Sequence, residues 1–141
     1  MAELPSGTVT FLFTDIESST ELARLAGTSY PELITTHFDI IRSIVERSSG
    51  VVVKTTGDGV FAVFASVVGA LRSAADIQIQ MSAQQWPLGV EIKLRVGMHT
   101  GQATVHDNDY VGIDVHRAAR VMAAGHGGQI LLSETVRSLS L

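Results

Sequence analysis

At 141 residues, 45% of them apolar and 17% charged, the chain is the size of one domain with an ordinary hydrophobic core, which excludes a disordered segment. It has no cysteine, so a disulfide scaffold and a cysteine-ligated zinc site are excluded, and the composition fits a reducing, cytoplasmic setting. A net charge of −4 disfavours general nucleic-acid binding. Membrane insertion is not expected, because the longest apolar stretch (60–71) is broken by Ser66 and Gly69 and falls short of the roughly 18 residues of a span. A signal peptide is not expected either, because the N-terminus lacks a basic flank and a long apolar core.

Residues 7–14 are rich in β-branched and aromatic side chains and read as a strand. Ser18 and Glu21 fit a capping box, predicting a helix from about Ser18 to Ala26 that Gly27 ends. Pro31 suits a first helical turn, and Leu33, Ile34, Phe38, Ile41, Ile44 and Val45 keep a helical period to about Arg47. Residues 51–56 and 60–64 are strands joined by Gly57-Asp58-Gly59, a hairpin signal. Residues 66–85 read as a helix with Val67, Leu71, Ala74, Ala75 and Ile79 inward, and Trp86 packs at its end.

Residues 91–99 alternate as a strand, and 102–105 are expected to pair back across Thr100-Gly101, leaving 106–109 a polar loop. Residues 112–124 form a helix with Val115, Ala118, Ala119 and Met122 inward, 129–132 a strand, and Ser133 caps a last short helix. His37, His99, His106 and His126 lack metal-site spacing and read as structural or surface residues.

Strand, helices, strand, strand, helix, strand is the ferredoxin-like βαββαβ pattern, here with an added C-terminal helix and strand. The expected class is α+β, one domain over residues 1–141. The first helices return the chain, so the second strand runs parallel to the first and its turn lies at the edge where the first strand ends. Asp15 and Asp58 are therefore neighbours by topology. Singly, Asp58 suits a turn and Asp15 the positive end of a helix. Together they offer hard oxygen ligands for a pair of divalent cations around a triphosphate, with backbone N–H groups and the hydroxyls of Ser18, Ser19 and Thr20 beside them. Lys54 stands where a structural strand would carry an apolar residue or Thr, and its structural alternative is an edge or solvent-facing lysine.

Phe13-Thr14-Asp15-Ile16-Glu17-Ser18-Ser19-Thr20, Lys54-Thr55-Thr56-Gly57-Asp58-Gly59 and Arg95-Val96-Gly97-Met98-His99-Thr100-Gly101 resemble the catalytic domain of class III adenylyl and guanylyl cyclases. Tyr110-Val111-Gly112-Ile113-Asp114-Val115-His116-Arg117-Ala118-Ala119-Arg120 looks like that family's fourth block, and the four stand in order. The resemblance implies conversion of ATP to 3′,5′-cyclic AMP and pyrophosphate with two Mg²⁺ or Mn²⁺ ions. Asp15, Asp58 and the Ile16 carbonyl would be the metal ligands, and Ser18, Ser19, Thr20 and Arg95 would hold phosphates. Lys54 and Asp109 would read adenine, Ala119 would leave room at the purine edge, and Arg120 would meet transition-state charge.

The family usually has Asn where this chain has His116, whose ring can still donate toward ribose or phosphate. The family also continues into a further strand pair beyond the position of Leu141, so a C-terminally truncated domain is expected. Its sites form between subunits, which implies a head-to-tail homodimer, though this shorter form could be monomeric. Three alternatives stay open: a catalytically weak or inactive nucleotide-binding or dimerisation module, a guanylyl cyclase, which Lys54 and Asp109 oppose, and a ferredoxin-like binding domain with accidental aspartates, which the four ordered blocks oppose.

Overall fold

The computed structural model describes residues 4–140. Strand β1 (Thr8–Ile16) leads into helices α1 (Ser19–Ala26) and α2 (Tyr30–Arg47), then the hairpin of β2 (Val51–Thr56) and β3 (Gly59–Phe64). Helix α3 (Val67–Ala83) precedes β4 (Leu94–Gln102), a small hairpin of β5 (Thr104–His106) and β6 (Asp109–Val111), helix α4 (Ile113–Ala123), β7 (Ile130–Leu132) and α5 (Glu134–Leu139). The main sheet has the order β2-β3-β1-β4-β7, and β5-β6 form a separate two-stranded sheet. The first four strands are all antiparallel to their neighbours, which is the ferredoxin-like arrangement expected, and β7 adds parallel to β4.

The sheet has two differently covered faces, set by the two-residue period of its strands. Leu12, Ile16, Ala62, Leu94, Val96 and Met98 face α1, α2 and α3 in the main core, with Leu33, Ile41, Ala74 and Ile77 among their partners. Val9, Phe11, Phe61 and Val63 face the other way, and Tyr110 and Ala118 are the buried residues that β6 and α4 bring to them. Asp15 and Arg95 fall on this second face, directly opposite one another in the β1–β4 register. No helix among the described residues is long and apolar enough to cross a membrane.

Several expectations are corrected. The chain does not reverse at Thr100-Gly101. Instead β4 continues to Gln102 because its whole length pairs with β1, from Ile16 opposite Leu94 to Thr8 opposite Gln102. The reversal falls at Asp107-Asn108, both at positive φ, the signature of a two-residue I′ hairpin. Helix α3 is rotated from the expected face: Ala70, Ser73, Ala74, Ile77 and Met81 are buried, while Ile79 is 63% exposed. Alanine and isoleucine are spread all round this helix, so packing against α2 and the sheet chose the face that period alone left ambiguous. The capping box also fails to form, since Ser18 is left-handed (φ 57°) with no side-chain cap and Glu21 pairs with Arg24 at 2.5 Å.

Candidate active site

The β2–β3 turn brings Asp58 to the end of β1, where the Ile16 N–H donates to its Oδ2 at 3.0 Å. Within β1, odd-numbered residues bond to β4 (Glu17 N–H continues the pattern to Lys93 O at 2.8 Å), so Ile16 directs its N–H and C=O to the β3 side. The Ile16 carbonyl therefore shares the Asp58 side of the rim. The other carboxylate, Asp15, is held by Arg95, whose Nε donates to Oδ1 at 2.7 Å and whose Nη2 donates to Oδ2. Arg95 also donates from Nη1 to the Ala123 carbonyl at 3.2 Å, and the carboxylate beside it holds its guanidinium firmly charged.

Two carboxylates and a backbone carbonyl at one open edge are hard oxygen donors of the kind Mg²⁺ and Mn²⁺ accept, since such ions keep waters and take phosphate oxygens to complete their shell. The donor set fits a metal-bound polyphosphate. No group of three or more His, Asp and Glu side chains capable of caging an ion exists among the described residues, so the protein alone supplies only part of a coordination shell. Ser18, Ser19 and Thr20 open α1 immediately after this rim, and the Ser18 side chain caps no N–H of the helix.

The expected purine readers meet on the second face of the sheet. Lys54 Nζ donates to Asp109 Oδ2 at 2.7 Å and lies 6.0 Å above the Phe61 ring. The Lys54 hydrogen bond, helped by the Tyr110 N–H, holds the Asp109 carboxyl below its usual range. What carries Asp109 there is Tyr110: its ring packs edge-on to Phe11 at 5.5 Å and to Phe61 at 6.3 Å, and its hydroxyl donates to the Pro5 carbonyl. In the sequence Tyr110 is only the first residue of the fourth family block, and its seating role comes from packing against Phe11 and Phe61.

Helix α4 carries the remaining candidates. Ala118 is fully buried and Ala119 half-buried, whereas Gly112, His116 and Arg120 are exposed on one side. Arg120 lines a shallow cavity of about 370 Å³ with His99, Arg117, Val121, Ala124 and Ser133. Among the described residues, no hydrogen bond or ion pair joins His116, Ala119 or Arg120 to Asp15 or Asp58. Of the other histidines, His106 and His126 are exposed, while His37 and His99 are buried. Burial pushes the His37 ring below its ordinary value and keeps it neutral. His99 is tied to Asp114 and Ser133, a connection that spacing alone did not suggest.

This fold and this arrangement of residues define a nucleotidyl cyclase catalytic domain. The family described as the adenylate and guanylate cyclase catalytic domain matches residues 1–140, and the chain belongs to it. An uncharacterised Mycobacterium tuberculosis protein is 34% identical over 138 residues, which are 96% of this chain and 46% of that protein. The adenylate cyclase of Lachancea kluyveri is 30% identical over 92% of this chain and 8% of its own length. Among solved structures, a Trypanosoma brucei adenylate cyclase in its monomeric state superposes with a TM-score of 0.88 at 28% identity, covering 98% of this chain and 78% of that one. The chain thus spans about half the length of the mycobacterial relative.

Proposed function

We propose that this chain is the catalytic domain of an adenylate cyclase, converting ATP to 3′,5′-cyclic AMP and pyrophosphate in the cytoplasm. In that reaction the ribose 3′-oxygen forms a bond to the α-phosphorus, the bond from the α-phosphorus to the bridging oxygen breaks, and the 3′-hydroxyl proton leaves to solvent. The observation that carries this reading is the Ile16–Asp58 hydrogen bond, which gathers Asp58, Asp15 and the Ile16 carbonyl at one rim. Two Mg²⁺ or Mn²⁺ ions held there would neutralise the triphosphate and lower the pKa of the 3′-hydroxyl.

The chain's own residues orient and stabilise. Lys54 donates to a ring-nitrogen acceptor of adenine and Asp109 accepts from its exocyclic amine, a pattern guanine reverses, while Ala119 leaves space at the purine edge. Ser18, Ser19 and Thr20 offer hydroxyls and backbone N–H groups to the phosphates. Arg95 has one guanidinium to divide between Asp15 and a phosphate, so substrate must draw it from its present partner. Arg120 presents a planar cation to charge building at the α-phosphate, and His116 donates to ribose or phosphate in place of the usual Asn. Since His116 and Arg120 stand exposed and unconnected to the carboxylate rim, a second copy docked head-to-tail would complete each site.

One specific observation favours a second reading, a nucleotide-binding module without turnover: both oxygens of Asp15 are taken by Arg95. Measuring cyclic nucleotide formation from ATP and GTP with Mn²⁺ separates the two readings. The chain, a C-terminally longer form and Asp58→Ala would be assayed side by side. Cyclic AMP above the Asp58→Ala background supports the cyclase, and its absence with nucleotide binding retained supports the module.

A further inference from the structure

Strand β4 turns Arg95, Gly97, His99 and Gly101 to the same side, at the two-residue period of a strand, and α4 lies across that ledge. The two glycines let the helix come into contact with the strand. A Cβ on Gly97 would stand 2.3 Å from the Met122 nitrogen, and one on Gly101 2.2 Å from Asp114 Oδ2. The two longer residues tie its ends. His99 Nε2 meets Asp114 Oδ1 at 2.9 Å in the first turn of α4, and Arg95 Nη1 donates to the Ala123 carbonyl at the last residue.

The spans agree. From Asp114 to Ala123 the helix rises roughly 13–14 Å at its 1.5 Å per residue. From Arg95 to His99 the strand advances about the same at its 3.4 Å per residue. Both ties can therefore be satisfied at the same register.

The ties matter because few side chains of this helix are deeply buried to fix its position along the strand. Ala118 is its only fully buried residue. His99 is itself fixed: it is 6% exposed, and its Nδ1 meets Ser133 Oγ at 2.8 Å at the start of α5. Asp114 Oδ2 accepts the Gln102 N–H at 2.9 Å, which locks the carboxylate to the end of β4. Arg120 has no ion pair among the described residues, so its place is decided by where the helix sits.

We propose that His99 and Asp114 are positioning residues for cyclisation: their contact sets the register of α4 on β4 and so the point at which Arg120 and His116 meet the nucleotide. The catalytic consequence rests on the function proposed above, whereas the positioning itself does not.

The ring nitrogens make the test sharp, because Gln places its amide where Nε2 stands and Asn places its amide nearer Nδ1. His99→Gln keeps a donor to Asp114 and should stay near wild type, while His99→Asn and His99→Ala should behave alike. Losing a hydrogen bond to a charged partner should lower kcat about tenfold, with KM and the affinity for a fluorescent ATP analogue little changed. In an Arg120→Ala background the same His99→Ala change should add less than about twofold, because the residue through which it acts is gone. Hydrogen exchange should quicken about tenfold in peptides from α4 and stay unchanged in those from α2 and α3.

Unchanged exchange in α4, equal behaviour of the Gln and Asn variants, or effects that multiply independently with Arg120→Ala would each overturn the proposal. If the wild-type chain forms no cyclic nucleotide above the Asp58→Ala background, the cyclase reading fails. In that case the exchange of α4 in the Gln and Asn variants still decides the positioning.

Discussion

At the carboxylate rim, Asp15 is the cross-strand neighbour of Arg95 and Asp58 accepts the Ile16 N–H, so backbone pairing places both acids. On α4 the candidates His116, Ala119 and Arg120 hang on a helix that buries one alanine completely and is tied to β4 by Arg95, by His99 and by the Gln102 N–H. A strand cannot slip by one residue in register without moving all its own side chains to the opposite face of the sheet. A helix fastened to a strand through side-chain hydrogen bonds depends on those side chains for its position. The two halves of one proposed site therefore differ in what can disturb them: topology guards the rim, and individual hydrogen bonds guard the helix.

The largest effect expected is at the rim. Asp58→Ala removes a proposed metal carboxylate and the acceptor of the Ile16 N–H, and initial rates of cyclic AMP formation with Mn²⁺ should fall by roughly 100-fold or more. A residual rate within a few-fold of wild type would remove Asp58 from the site. Next comes the proposed purine pair, Lys54 and Asp109. Lys54→Glu sets two carboxylates against each other, and the ratio of cyclic AMP to cyclic GMP formed should drop by about tenfold or more. An unaltered ratio would leave Lys54 as an ordinary edge lysine.

Arg95 joins the two halves, and its removal should act oppositely on them. Arg95→Gln frees Asp15, so Mn²⁺ titrated without nucleotide should bind several-fold, up to about tenfold, more tightly, while the lost tie to Ala123 loosens α4. Isothermal titration and hydrogen exchange on one sample would read both, and a weaker Mn²⁺ affinity would contradict the competition.

The smallest effect is a pH dependence. His99, with the Gln102 N–H, holds the Asp114 carboxyl below its ordinary value of 3.8, a depressed folded-state pKa. Its stabilisation is therefore complete above the unfolded value and is lost as pH falls through the lower, folded one. The gap in urea midpoint between wild type and Asp114→Asn should be constant near neutrality and narrow below about pH 4. A gap that persists unchanged in acid would mean the carboxylate charge is not what holds α4.

Much of the fold was legible because its signals are local. The strand alternation of β1, the glycine turn at Asp58 and the return through α2 sufficed to place Asp15 beside Asp58. Helix α3 was legible as a helix but not in its orientation, since apolar residues on several sides let neighbours choose the face. The continuation of β4 past Gly101 was hidden for a similar reason. A glycine between threonine and glutamine reads as a turn until the partner strand, and a helix needing backbone contact, are both in place.

Residue types and their order were enough to define an α+β ferredoxin-like domain, to bring two acids to one edge and to show the resemblance to the cyclase family blocks. Period and turn chemistry are properties of neighbouring residues, so they can be read without coordinates. Only the tertiary structure decided that Arg95 holds Asp15, that Tyr110 seats Asp109 against Lys54 and that His99 pins α4. Each of these contacts joins positions more than ten residues apart, whose meeting depends on sheet order and helix docking. The alternation of Arg95, Gly97, His99 and Gly101 was visible in the chain from the start, and the helix lying across it gave that alternation a physical reason.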